Sequence, residues 1–195
     1  MFINWALQEI NLKIVYYGPG LSGKTTNLNY IYQKLDPSVR SDLITLKTKE
    51  DRTIFFDFLQ LEIGKIKNKR PKFSLYTIPG QSYYSESRRI ILNGVDGLVF
   101  VVDSQINRMP NNLQILKELE ENLIESGRTL QTFPWVIQYN KRDLSEIESI
   151  ENLQRKLNYF NAPHFEAVAR AGQGVFVTLK AVINHVITHI QSKLV

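Results

Sequence analysis

Gly18-Pro19-Gly20-Leu21-Ser22-Gly23-Lys24-Thr25 puts three glycines, a lysine and a hydroxyl within eight residues, in the order G-x-x-x-x-G-K-[ST]. Glycines let successive backbone N–H groups turn inward around phosphate oxygens, and a helix starting at Lys24 would point the positive end of its dipole at the same place. The Lys24 ammonium is then placed to reach β- and γ-phosphates and the Thr25 hydroxyl to ligate Mg²⁺, with Thr26 beside it as a further nucleotide contact. The chemistry implied is the binding of a nucleoside polyphosphate with magnesium. An ordinary glycine turn is the alternative. Against it stands the context, an apolar run over 10–17 before the loop and a helix-compatible stretch over 24–35 after it, the strand–loop–helix order the motif requires.

A second motif, Asn140-Lys141-Arg142-Asp143, directly follows the apolar run 135–139. The Asp143 carboxylate can accept from both N1–H and the exocyclic amine of guanine, while adenine offers no matching pair of donors. A pocket built on such a pair discriminates strongly, because the wrong base leaves the carboxylate unpaired. Asn140 can bond the other edge of the base or hold the phosphate loop, and the Lys141 stem would lie over the ring. Between the two motifs come candidates for sensing the terminal phosphate. Thr53 can give its hydroxyl to Mg²⁺ and its N–H to the γ-phosphate. In Thr77-Ile78-Pro79-Gly80-Gln81 the Gly80 N–H can meet the γ-phosphate and Gln81 can orient the attacking water. Near the end, Ala167-Val168-Ala169 offers the Val168 and Ala169 backbone N–H groups to the guanine oxygen.

The elements that must position these residues alternate along the chain. Strands are expected over 10–17, 54–63, 73–78, 97–102, 135–139 and 164–168, and helices over 24–35, 85–92, 112–125, 147–157 and 175–191. The last helix shows Phe176, Leu179, Val182, Ile183, Val186, Ile187 and Ile190 as one apolar stripe. The second and third strands are separated only by a turn between Gly64 and Pro71, too short for a crossover helix, so they pair antiparallel. The fold class expected is α/β, a P-loop G domain over 1–195 with a mostly parallel six-stranded sheet, strand two antiparallel, and helices on both faces. Residues 1–9 could add an edge strand or pack beneath the sheet. The connection 36–52 carries little core-forming pattern.

With 195 residues, 43% apolar and 22% charged, the composition is that of an ordinary globular chain. The chain has no cysteine, which fits a reducing compartment and removes any thiolate metal site. No signal peptide, membrane-length apolar run or common lipid-attachment motif is read, so the expected location is cytoplasmic. Net charge is +5. The dense cluster Lys65, Lys67, Lys69, Arg70 and Lys72 reads as a solvated hairpin tip before a binding patch. His185 and His189 stand at i and i+4, which favours an exposed helix face over a metal pair without a third ligand. Asp103 and the Glu118, Glu120, Glu121 face read as structural or solvated.

These motifs, in this order, resemble the Ras-like small GTPases across essentially the whole chain. Gly18-Pro19-Gly20, Arg52-Thr53-Ile54-Phe55-Phe56-Asp57-Phe58, Leu75-Tyr76-Thr77-Ile78-Pro79-Gly80-Gln81, Gly94-Val95-Asp96-Gly97 and Gln138-Tyr139-Asn140-Lys141-Arg142-Asp143-Leu144 narrow it to the MglA-like bacterial polarity GTPases. The resemblance implies a GTP/GDP switch for gliding or type IV pilus motility, monomeric when free and recruited to a cell pole in the GTP state. It implies a roadblock-fold dimer (MglB-like) that accelerates hydrolysis, an exchange factor and polar effectors, and a second strand that slides between nucleotide states. Apolar side chains on both faces of 54–59 agree with such sliding and equally with a strand buried on both sides.

Ras-like proteins mostly carry an Asp where this chain has Thr77, and that Asp holds a water on Mg²⁺. MglA-like proteins share the substitution, and Asp57 is the candidate replacement, with an exposed strand carboxylate as the alternative. Arg52, on the loop before Thr53, can swing its guanidinium over the transferring phosphoryl group as a finger supplied in cis; the resemblance assigns the corresponding arginine that role once the partner has positioned the loop. Catalytic candidates are therefore Lys24, Arg52 and Gln81. Competing readings are an ATP-dependent kinase or motor ATPase, disfavoured by Asp143, and a nucleotide-dependent scaffold with negligible hydrolysis. Nucleic-acid binding rests on net charge alone and ranks last.

Overall fold

The computed structural model describes residues 1–47, 53–64, 69–79 and 85–193, and only the backbone at 46, 47, 53–55, 85–87 and 193. Among the described residues eight strands form one sheet: β1 (Phe2–Asn4), β2 (Glu9–Tyr17), β3 (Ile44–Lys47), β4 (Thr53–Glu62), β5 (Arg70–Thr77), β6 (Gly97–Asp103), β7 (Trp135–Asn140) and β8 (His164–Glu166). Their order is β3-β4-β5-β2-β6-β7-β8, with β1 beside β2. The helices are α1 (Lys24–Lys34), α2 (Ser85–Leu92), α3 (Met109–Glu125), α4 (Ile150–Leu157) and α5 (Val175–Lys193).

β5, β2, β6, β7 and β8 run parallel, and β4 is antiparallel to β5, as the short 64–71 turn requires. Two strands extend the six expected. β1 pairs antiparallel with the start of β2, Ile3 opposite Ile10. β3 is a correction to the reading of 36–52 as a connection without pattern, since Ile44 pairs with Phe58 and Thr45 with Asp57. Its signal was weak because β3 sits at the sheet edge, where Ile44 stays exposed and pairing is carried by backbone rather than by a buried face. α4 begins three residues later than expected (at 150 rather than 147), because the Ser149 side chain caps it by accepting from the Asn152 N–H. α3 begins three residues earlier (at 109 rather than 112), with Pro110 accommodated in its first turn.

Helices cover both faces of the sheet. Val15 and Tyr17 of β2 join Leu98, Phe100 and Val102 of β6 and Leu116, Leu119 and Leu123 of α3 on one side. Ile10, Leu12, Ile14 and Tyr16 join Leu28 and Ile31 of α1 and Leu179, Val182 and Val186 of α5 on the other. β6 and β7 are buried at every residue, which explains why these strands read as continuous apolar runs instead of alternating ones. In β4, Asp57, Leu59 and Leu61 are buried while Phe56 and Phe58 are half-buried against the Tyr76 ring, so both faces are covered.

α5 crosses the start of β6 closely. A Cβ on Gly97 would meet Val186 Cγ2, with Val182 Cγ2 at 3.3 Å. Gly97→Val should therefore destabilise the protein by about 1–3 kcal/mol through overpacking, read as a lowered denaturant midpoint in chemical unfolding.

Candidate functional site

The phosphate loop joins the end of β2 to α1. Gly18 takes φ 143° and Gly23 φ 102°, both in the region that favours glycine. A Cβ on Gly18 would meet the Val101 carbonyl, and one on Gly23 the Asn140 amide, so these two glycines answer to close approach as well as to backbone conformation. Leu21 takes a left-handed φ of 66° and is 80% exposed, unusual for a large side chain. α1 starts at Gly23 without a side-chain cap and without an acidic residue in its first turn, leaving its N-terminal amides and dipole for an anion.

Lys24 is buried, and its ammonium donates to the Gly18 and Pro19 carbonyls at 2.8 and 2.7 Å. Burial pushes its pKa down to about 7, the nearby Arg88 charge contributing in the same direction and the Asp57 carboxylate opposing both. Asp57 is fully buried, contrary to the alternative of an exposed strand carboxylate. Its Oδ2 accepts from the Thr25 hydroxyl at 2.6 Å and the Thr77 hydroxyl at 2.7 Å, and its own N–H donates to Thr77 Oγ1 at 2.8 Å. Asp57 Oδ1 is buried with no hydrogen-bond partner among the described residues. An orphaned carboxylate oxygen beside two hydroxyls is an oxygen-only donor set, the kind a hard divalent cation takes when phosphates complete its shell. Among the described residues no group of three or more His, Cys, Asp or Glu could hold a metal on its own.

On the other side of the loop a cavity of about 310 Å³ is lined by Leu21, Gly23, Thr26, Asn140, Lys141, Asp143, Leu144, Ala169 and Arg170. Asn140 does not face it as a free base contact. Its Nδ2 donates to the Ser22 carbonyl at 2.7 Å and its Oδ1 accepts the Ala169 N–H at 2.9 Å, so of its two expected roles it takes the one that holds the phosphate loop. The Val168 N–H donates to the Gln173 carbonyl at 3.0 Å; both amides offered to the base on sequence grounds are held by protein acceptors. Lys141, at a left-handed φ of 67°, donates to Asp103 Oδ2 at 2.7 Å. Asp103 is thus the structural residue the sequence suggested, buried and shared with Arg108 at 3.5 Å, whose guanidinium also donates to the Gly20 carbonyl at 2.9 Å. Asp143 pairs with Arg170 at 2.5 Å, at the cavity wall.

Arg52, Gly80 and Gln81 lie outside the described residues, as does the Thr53 side chain; the Thr53 backbone opens β4. Lys65 and Lys67 of the basic cluster are likewise outside. Arg70 and Lys72 sit within β5 and pair with Glu9. His185 is exposed and His189 half-buried. The sequence reading missed the buried polar residues that support the loops: Asn27 and Gln138 exchange side-chain hydrogen bonds at 2.8 and 3.0 Å, and Gln138 also donates to Thr178 at 3.1 Å. Their only signal was a polar residue in each of three otherwise apolar faces.

A strand–loop–helix phosphate site and an N-K-x-D cavity at the carboxyl ends of the parallel strands β2 and β7 define a P-loop GTPase of Ras-like architecture. The model of the ADP-ribosylation factor (Arf) family matches residues 1–186, and the chain belongs to this family of small GTPases. It is 54% identical over 190 residues, 97% of each chain, to the mutual gliding-motility protein MglA of Myxococcus xanthus (strain DK1622), of which it is a homologue. Among the described residues no helix is long and apolar enough to cross a membrane.

The Lys24 pKa sets a pH dependence. In the ligand-free protein it lies near 7, below its unfolded value, so the unfolded chain binds more protons and ligand-free stability rises from about pH 7 towards 10. Phosphate favours the charged ammonium, so nucleotide binding near pH 8 should take up about one proton and weaken as pH rises. Calorimetry in two buffers of different ionisation enthalpy checks this; equal heats would contradict it.

Proposed function

We propose that residues 1–195 form a single G domain that acts as a Mg²⁺-dependent GTP/GDP switch for cell polarity or motility. The observation that carries the reading is the buried Asp57 carboxylate, tied to the Thr25 and Thr77 hydroxyls with one oxygen unpartnered among the described residues. It supplies next to the phosphate loop the carboxylate that Thr77 cannot. The motility role is supported by similarity to a protein named for mutual gliding motility.

In this reading Asp143 exchanges Arg170 for the guanine edge, Asn140 keeps the loops in register, and Ala169 packs beside the base. Loop amides from Gly18 to Thr26 and the Lys24 ammonium hold the phosphates. The Thr25 and Thr53 hydroxyls would ligate Mg²⁺, and Asp57 would hold a metal-bound water. Once bound, the ion supplies positive charge that offsets the charge building on the phosphate oxygens. Gly80 N–H meets the γ-phosphate, Gln81 orients the attacking water, and Arg52 neutralises charge on the transferring group. Unaided turnover is slow, and a roadblock-fold dimer raises it by positioning Arg52; an exchange factor and polar effectors complete the cycle. The free protein is a cytoplasmic monomer.

Arg52→Ala and Gln81→Leu should each leave GTP affinity nearly intact while removing partner-stimulated phosphate release, a loss on the order of 10³-fold or more for the arginine. Full stimulated turnover in Arg52→Ala would refute the finger. Asp57→Ala should shift the magnesium midpoint for GDP retention upward by about tenfold, the loss of one charge-assisted contact. An unchanged magnesium titration would remove Asp57 from the metal site.

A further inference from the structure

The Gly20 carbonyl accepts from Arg108 Nη2 at 2.9 Å, a contact that spans 88 residues of sequence. Arg108 stands directly before α3, and its Nε faces Asp103 Oδ2 at 3.5 Å. The same carboxylate oxygen accepts from the Lys141 ammonium at 2.7 Å, while Asp103 Oδ1 accepts the Gln105 N–H at 3.2 Å. Asp103 is buried at the end of β6. One carboxylate therefore serves a cation of the base motif and a second cation that reaches the phosphate loop.

The peptide unit that Arg108 holds is under strain. A trans peptide is planar, with its C=O and the following N–H pointing opposite ways, so fixing the Gly20 carbonyl towards Arg108 turns the Leu21 N–H away from it. Leu21 then continues at φ 66°, a left-handed conformation that its Cβ disfavours. Packing does not hold it there, since its side chain is 80% exposed. The turn is closed by the Ser22 N–H on the Pro19 carbonyl at 3.3 Å and by Asn140 on the Ser22 carbonyl at 2.7 Å. Among the described residues, Arg108 is the side chain that acts on the Gly20–Leu21 peptide itself. A guanidinium suits the task, being a rigid fork that stays charged and can meet two acceptors at once. We propose that Arg108 is a positioning residue: anchored by Asp103, it fixes the Gly20–Leu21 peptide so that the Leu21 N–H faces the diphosphate, and so strengthens retention of GDP. The inference rests on the proposed reading in which the loop amides hold the phosphates.

The test compares wild type, Arg108→Met, Leu21→Gly and the double variant for GDP affinity, by competition against labelled GDP, and for melting temperature at saturating GDP. Arg108→Met should lower GDP affinity by about tenfold, the loss of one charge-assisted hydrogen bond, and leave the melting temperature unchanged. Glycine takes φ 66° without the cost of a Cβ. In the Leu21→Gly background the same Arg108→Met change should therefore lower affinity by about twofold or less, a coupling between the two positions. An affinity that Arg108→Met leaves unchanged overturns the proposal. So does an equal loss in both backgrounds, which would make Arg108 a plain counter-charge for the polyphosphate, and so does a lowered melting temperature, which would make it a support of the fold. If Arg108→Met does not fold, Arg108→Lys keeps the charge and gives up the fork. A loss that Leu21→Gly relieves then supports the proposal, and no loss, or one that Leu21→Gly leaves untouched, overturns it. Failure of the underlying reading looks different: wild type itself would then not retain GDP.

Discussion

The side chain of Asn140 is the contact on which the two halves of the nucleotide site depend. With one nitrogen on the Ser22 carbonyl and one oxygen under the Ala169 N–H, it joins the phosphate loop, the base motif and the turn after β8. Two residues earlier on the same strand, Gln138 does the equivalent for the helices, meeting Asn27 of α1 and Thr178 of α5. Both side chains are almost wholly buried, where an unpaired amide is costly, so the network holds only if all its members are in place. That requirement converts three separate loops into one rigid cradle. Gly23 belongs to it too, because any side chain there would strike the Asn140 amide.

On the opposite side of the loop the constraint is charge. Lys24 and Arg88 are both buried cations close enough for the second to depress the pKa of the first. Glu118 answers Arg88 with a bidentate pair, while Asp57 faces Lys24 only as a neighbour and gives its hydrogen bonds to Thr25 and Thr77. Lys24 thus gives hydrogen bonds to the Gly18 and Pro19 carbonyls, with Asp57 as a nearby counter-charge.

The edge of the sheet obeys a different logic. β3 and β4 extend it antiparallel beyond β5, and β4 carries Asp57 on the same buried face as Leu59 and Leu61, with Phe56 and Phe58 half-buried on the opposite face against the Tyr76 ring.

Much of this was legible in the chain. The motif spacing named the phosphate and base loops, and the order of apolar runs named six strands, five helices and the antiparallel hairpin, because those features depend on local geometry and on periodicity. Which of its two expected roles Asn140 takes, the choice between a buried and an exposed Asp57 and the inward turn of Glu118 were not legible, and neither was the edge strand over Ile44. Each depends on what faces it from a distant segment: Ala169 lies 29 residues from Asn140, Thr77 lies 20 from Asp57, and Arg88 lies 30 from Glu118. A sequence specifies which groups can donate, accept or carry charge; only tertiary packing removes water from them, and it is the loss of water that makes a particular partner obligatory.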